Sequence, residues 1–273
     1  MKRILSVILS ISLLATSFLF TPINMASADE QSFTVSEVKD VLKVTNTKSF
    51  AWASTSLQTK SGALATQIVK ENTDLEVLVN VGGDLTEKSI NQLYDLNCDT
   101  VCCNLETINE SIYNDVKPGE TLQQRIDVCQ MISDTGIELS SGLLLGLGES
   151  AEDRIEHLRF LNNFDTLGEI PLMGFNPYED TPMANHPPFP LKEQLKFIAV
   201  TRIMYPNIRI TVPTPTVGPR NVKYTLNAGA NNLATVIADN YPLEVKGVGS
   251  PTYGNYADVT DVIKQLGLEP QKI

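Results

Sequence analysis

The sequence predicts an α/β barrel in which parallel strands alternate with helices. Three observations lead there. Short apolar runs alternate with helical patterns along most of the chain. The composition, 42% hydrophobic and 19% charged over 273 residues, suffices for one core of barrel size. No G-x-G-x-x-G opens a helix after the first strand, which lowers the odds of a dinucleotide-binding open sheet.

In chain order, strands are expected at Phe50 to Ser54, Leu75 to Val81, Asp99 to Leu105, Ile137 to Leu145, Ile170 to Phe175, Ile208 to Val212 and Leu233 to Ile237. Helical periodicity lies between them at Gly62 to Glu71, Thr86 to Leu96, Leu122 to Thr135, Ala151 to Asn163, Leu191 to Met204 and Asn221 to Ala228. Strands separated by helices pair in parallel through crossovers, which gives the barrel over 49–240. Residues 241–273 form an extension with one helix, and 29–48 a segment whose structure the sequence does not indicate.

The N-terminus has its own composition. Lys2 and Arg3 precede an apolar run from Ile4 to Phe20, and Ala26-Ser27-Ala28 supplies the small residues of a cleavage site before Asp29. A signal peptide over 1–28, hence export, is expected; an uncleaved anchor is the alternative. Cysteine usage points the other way. Cys98, Cys102, Cys103 and Cys129 are an even number, which invites disulfides in an exported chain. Cys102 and Cys103, however, alternate across one strand and cannot readily bond each other, so free thiols are favoured.

The formal charge is −11, from 21 Lys and Arg against 32 Asp and Glu, and no basic run occurs. Nucleic acid is thereby excluded as a partner, since phosphate binding relies on clustered cations. The acidic surface offers no attraction to anionic lipid, so no membrane contact is expected beyond the leader. A small-molecule substrate is what a barrel lumen of this kind suits. His157, on a helix, and His186, in a Pro-rich loop, are expected to be solvated rather than catalytic, and the two histidines stand too far apart for a zinc cluster.

Chemistry in such a barrel belongs at the C-terminal ends of the strands. Asn104 and Glu106 end one strand, Glu149 follows Gly146-Leu147-Gly148, Asn176-Pro177-Tyr178 ends a third, and Thr214-Pro215-Thr216 a fourth. Parity sends Cys102, Asn104 and Glu106 to one face. It also turns Ile208, Ile210 and Val212 outward and Arg209 and Thr211 into the lumen. An arginine there needs an acceptor, and Glu106 is the nearest by topology. Gly142, Gly146 and Gly148 serve either a tight turn or close approach of a ligand.

From about Leu75 to Pro270 the chain resembles the biotin-synthase-like branch of the radical-SAM superfamily. The resemblance rests on Cys103-Asn104-Leu105-Glu106-Thr107, on Ser140-Ser141-Gly142-Leu143-Leu144-Leu145-Gly146-Leu147-Gly148-Glu149-Ser150 with Asp153-Arg154, and on Ile170-Pro171 with Phe175-Asn176-Pro177 and Thr181-Pro182. Val217-Gly218-Pro219, Ala228-Gly229-Ala230-Asn231-Asn232 and Lys246-Gly247-Val248-Gly249-Ser250-Pro251 are most similar to the group that builds the iron-guanylylpyridinol cofactor of [Fe]-hydrogenase; biotin synthase and methylornithine synthase are next.

The resemblance implies that Asn104 and Glu106 contact the ribose of S-adenosylmethionine or substrate near it. It further implies that Gly142, Gly146, Glu149 and Asn176 lie by the adenine and that Arg209 reaches the cavity. A [4Fe–4S] cluster is expected of the family, held by three cysteines spaced C-x3-C-x2-C. That motif is missing: Cys98 and Cys102 are followed by Cys103 and Leu105. Ala53-Ser54-Thr55-Ser56 stands where a glycine-rich turn is expected. The reading is therefore an incomplete, truncated TIM-type barrel of the radical-SAM kind, acting in cofactor biosynthesis and catalytically impaired. The alternative is an exported, non-catalytic barrel that binds a small molecule or a partner.

Overall fold

The computed structural model describes residues 6–7, 56–83, 85–178, 181–237 and 254–270. The expected strand at Phe50 to Ser54, the segment 29–48 and the leader apart from Ser6–Val7, with its cleavage position after Ala28, lie outside the described residues.

The elements in chain order are β1 (Ser6–Val7), α1 (Ser56–Asn72), β2 (Leu78–Asn80), α2 (Glu87–Asp95), β3 (Thr100–Cys102), α3 (Glu110–Val116), α4 (Leu122–Thr135), β4 (Glu138–Ser140), β5 (Leu143–Leu145), α5 (Ala151–Phe160), β6 (Leu167–Gly174), α6 (Leu191–Met204), β7 (Arg209–Pro213), α7 (Thr214–Val217), α8 (Val222–Ala228), β8 (Asn232–Ala234), β9 (Val236–Ile237), β10 (Gly254–Asn255) and α9 (Tyr256–Gln265). The main sheet is parallel and runs β1-β8-β7-β6-β4-β3-β2, with β5 added to β6. This is the expected α/β half-barrel of strands and helices.

Local chemistry sets the helix starts. Thr86, Thr121 and Ser150 each accept from the backbone three residues on, and the third helical residue bonds back to the cap, so the first turns of α2, α4 and α5 carry capping boxes. α4 stops at Gly136, whose φ of +86° ends the helix in the left-handed region.

Two expected strands are each divided. The run Ile137 to Leu145 becomes β4 and β5 because Ser141-Gly142 leaves the ladder: a Cβ on Gly142 would sit 1.9 Å from the Pro171 carbonyl oxygen, so only glycine fits between the strands there. Leu233 to Ile237 breaks at Thr235, whose φ is +57°. The short helix α3 was not expected; the Asn109 side chain caps it by accepting from the Ile112 amide at 3.3 Å.

Strand parity sorts the core from the lumen. Val101, Leu139, Ile170, Leu172, Ile210 and Val212 pack outward against Ile90, Leu93, Val128, Ile132, Leu158 and Ile198 of the helices. Each such side chain contributes roughly 1.5–3 kcal/mol of burial. The alternate positions, Thr100, Cys102, Glu138, Ser140, Glu169, Thr211 and Asn232, face the other way, into a polar lumen. A second, smaller cluster joins α8, β8, β9 and α9 through Val222, Leu226, Leu233, Val236, Val259 and Ile263. His157 is a correction. It is 1% exposed, because α5 presents it to the sheet rather than to solvent.

Candidate functional site

All strands of the main sheet are parallel, so their C-terminal ends open on one side, and most of the expected site residues collect there. Asn104 and Glu106 follow β3. Asn104 Oδ1 accepts from the Gly142 amide at 3.0 Å, which ties the end of β3 to the break between β4 and β5. Glu106 bridges Leu143: its N–H donates to Gly142 O at 3.0 Å, and its carbonyl accepts from Leu144 N at 2.9 Å.

Glu106 holds an uncommon backbone. Its φ is +63°, and the Thr107 amide reaches back to Leu105 O at 2.7 Å, so the three residues form a tight turn with a non-glycine residue at its centre. Such turns are strained and concentrate at ligand sites. The turn aims the carboxyl toward the rim. There Lys117 Nζ stands 3.8 Å from Oε1, and Oε2 has no hydrogen-bond partner. Burial pushes the Glu106 carboxyl above the usual carboxylate range, while Lys117 and then Arg125 pull it back.

The Gly146-Leu147-Gly148 turn follows β5 and is built around Glu149, which is 8% exposed. Its Oε1 accepts from the Gly146 amide at 2.7 Å and from Arg154 Nε at 2.7 Å, and its Oε2 from the Leu147 amide at 2.7 Å. The Glu149 carboxylate thus shapes the turn. Gly146, at φ +100°, lies against Phe189, where a Cβ would come within 2.8 Å of the ring. The Arg154 guanidinium stands over the Phe189 ring, 4.7 Å from its centroid. Asn176 follows β6 and donates to Thr216 O at 3.3 Å, linking the rim above β6 to α7.

Arg209 does not join this group, and its expected pairing with Glu106 is corrected. Arg209 is the first residue of β7, so it stands at the entry end of that strand. It binds Glu138, the first residue of β4, with Nη1 3.0 Å from Oε2 and Nη2 bonded to Oε1. The register explains the separation. Glu106 bridges Leu143 and Leu143 pairs with Leu172, whereas Arg209 pairs with Glu169, three residues earlier on β6. That offset amounts to about 10 Å of strand.

Sequence reasoning missed two lumenal acids, Glu138 and Glu169. Each sits beside an apolar strand run, at an inward parity, and that was the available signal. Glu169 Oε1 is bonded by the Thr211 hydroxyl and accepts from Asn232 Nδ2 at 3.2 Å.

All four cysteines carry free, buried thiols, as expected. Cys102 faces the lumen. Cys103 lies on the helix side with Cys129, whose Sγ donates to Cys103 O at 3.2 Å, and with Arg125 Nη1 3.9 Å from its own Sγ. Burial lifts the Cys98 thiol to about 12. Among the described residues no group of three or more His, Cys, Asp or Glu could hold a metal ion.

This geometry, a polar rim at the C-terminal ends of a parallel half-barrel, is matched by sequence families. The profile of the Radical SAM superfamily matches residues 28–161, and that of the Biotin and Thiamin Synthesis associated domain matches 171–250. The chain belongs to the radical SAM superfamily. An uncharacterised protein of Methanocaldococcus jannaschii is 56% identical over 214 residues, covering 78% of this chain and 57% of that protein. Biotin synthase of Corynebacterium jeikeium is 31% identical over 144 residues, 53% of this chain and 40% of that enzyme. The [FeFe] hydrogenase maturase subunit HydE of Thermotoga maritima is 30% identical over 170 residues, 60% of this chain and 48% of that protein. The chain spans about half the length of these curated relatives. Among solved structures, methylornithine synthase (PylB) superposes with a TM-score of 0.75 at 22% identity, over 88% of this chain and 74% of that one, a likeness of fold.

The described thiols do not fit the [4Fe–4S] cluster of a radical SAM protein, because Cys102 and Cys103 point to opposite faces of β3 and Cys129 stands on a helix. The rim does fit the nucleoside part of S-adenosylmethionine. Glu106 offers a carboxyl oxygen without a partner beside the turn that Glu149 holds, while Gly142 and Gly146 let the Pro171 backbone and the Phe189 ring pack close beneath that rim.

Proposed function

We propose that the chain is the barrel body of a radical-SAM-family protein of cofactor biosynthesis, and that its rim holds the adenosyl part of S-adenosylmethionine. Glu106, Asn104, Gly142, Gly146 and Asn176 are the residues that would hold it, with Glu149 fixing the glycine turn. The carrying observation is the Glu106 carboxyl, held at φ +63° with Oε2 unpartnered at the C-terminal end of β3. A carboxyl so placed takes the hydroxyl hydrogens of a ribose. S-adenosylmethionine, when bound, supplies the radical chemistry of the family. The relatives named biotin synthase, hydrogenase maturase subunit and 3-methylornithine synthase support a biosynthetic role. Similarity in the Val217-Gly218-Pro219 and Ala228-to-Asn232 segments favours the guanylylpyridinol cofactor of [Fe]-hydrogenase as the product served.

Titration calorimetry of the full chain tests the proposal. Saturable binding of S-adenosylmethionine and S-adenosylhomocysteine, weakened about tenfold by Glu106→Gln, a loss of roughly 1.4 kcal/mol, is expected. Absence of binding, or equal binding by the variant, contradicts it.

A further inference from the structure

Glu169 belongs to neither the rim nor the helix-packed core. It is 3% exposed on the lumenal face, level in register with Arg209 and below the rim, where inward side chains of five strands converge: Cys102 of β3, Ser140 of β4, Glu169 of β6, Thr211 of β7 and Asn232 of β8. Ser140 is the register partner of Glu169, and Thr211 that of Asn232. Of the two carboxyl oxygens, Oε1 is bonded by Thr211 and Asn232, while Oε2 has no partner; the Ser140 hydroxyl, 1% exposed, has only the Cys102 thiol beside it.

The charges around it decide what would complete it. The Arg209 guanidinium, whose residue is the register partner of Glu169 on β7, bonds Glu138 through both terminal nitrogens, while its Nε has no hydrogen-bond partner and Glu169 adds to the negative charge it faces. Burial, with the Glu169 carboxylate next, pushes the Cys102 thiol up, so it stays neutral. Two carboxylates, Glu138 and Glu169, thus share one guanidinium, and Oε2 of Glu169 remains an acceptor oxygen beside a hydroxyl; a buried carboxylate persists when a donor cation meets it.

We propose that Glu169, with Ser140, is the substrate-recognition point of the lumen and takes the primary ammonium group of a small-molecule substrate. It rests on the reading of the barrel as an enzyme body and names the class of substrate that body would accept. Both the ammonium and Ser140 donate to the carboxylate, while the ribose contacts of Glu106 stay at the rim. The two sites are distinct.

The test uses the purified full chain with methylammonium and n-butylammonium chlorides as probes, against tetramethylammonium chloride, which has the same charge and no N–H. The expected result is a saturable rise of the thermal midpoint with the primary ammonium ions alone. Glu169→Gln should raise the half-saturating concentration at least tenfold, and Ser140→Ala about threefold, the latter serving if Glu169→Gln does not fold. Neither should change the affinity for S-adenosylmethionine by more than twofold, whereas Glu106→Gln should do the converse. An equal response to tetramethylammonium, no saturable response, or a response that the lumenal substitutions leave unchanged overturns the proposal. Wild-type chain that binds ammonium ions but not S-adenosylmethionine would sink the nucleoside reading alone.

Discussion

Glu138 and Arg209 face each other at the entry end of the barrel lumen, Nη1 3.0 Å from Oε2, with Nη2 and the Thr100 hydroxyl both bonded to Oε1. The pair spans β4 and β7 across β6, so it ties three adjacent strands at the end opposite the rim.

Breaking it should therefore cost stability and leave nucleoside binding alone. The Arg209 and Glu138 side chains are 28% and 32% exposed, which places the pair between an exposed one, worth about 0–1 kcal/mol, and a buried one, whose disruption costs roughly 3–5 kcal/mol. Urea unfolding of Glu138→Ala, Arg209→Ala and the double variant should give a coupling of about 1–3 kcal/mol. Glu106→Ala and Arg209→Ala should be additive within about 0.5 kcal/mol. Coupling of the second pair and additivity of the first would reverse the assignment.

His157 makes the fold sensitive to acid. Both ring nitrogens lack partners, and burial lowers its pKa from 6.5 to about 3. The unfolded chain thus binds a proton that the native state refuses between these values. The stability from a neutral His157 is complete above pH 6.5 and is lost as pH falls toward 3. The loss should reach about 3 kcal/mol between pH 7 and pH 4. His157→Leu removes the titrating group and two orphaned polar atoms. Chemical denaturation from pH 7 to pH 4 should show the variant's advantage growing by about that amount; parallel curves would count against it.

Gly142 is expected to tolerate nothing larger. The Cβ of alanine would meet the Pro171 carbonyl at 1.9 Å, backbone against backbone, so Gly142→Ala should cost more than about 3 kcal/mol or prevent folding. Gly136→Ala is the control. Its φ is +86° with nothing within 4 Å of the added carbon, and a loss of about 1 kcal/mol is expected in the same unfolding assay. Equal losses would mean that β4 and β6 do not approach as described.

Periodicity found what periodicity encodes. The bounds of α4 and α6 coincide with the expected Leu122 to Thr135 and Leu191 to Met204, and on β7 Ile210 and Val212 do face the helices while Thr211 faces the lumen. Parity gives the face of a strand, however, and not the height of a residue along the barrel. The expectation for Arg209 failed there, because only the register of β5, β6 and β7 sets it below Glu106. His157 was misjudged for a related reason: its neighbours Arg154, Glu156 and Arg159 read as a solvated face, yet position 157 is the one turned to the sheet. The turn at Glu106 had no signal, since its φ of +63° is that of a glycine.

The location of the nucleoside is the central claim, and photolabelling tests it most directly. The full chain would be irradiated with S-adenosylmethionine bearing an azido group on the adenine, and the labelled peptides mapped by mass spectrometry. Label that excess S-adenosylmethionine competes away should fall in the peptides containing Asn104 to Glu106, Gly142 to Gly146 or Asn176. Competed label at the Glu138–Arg209 end, or none that competes, would contradict the account.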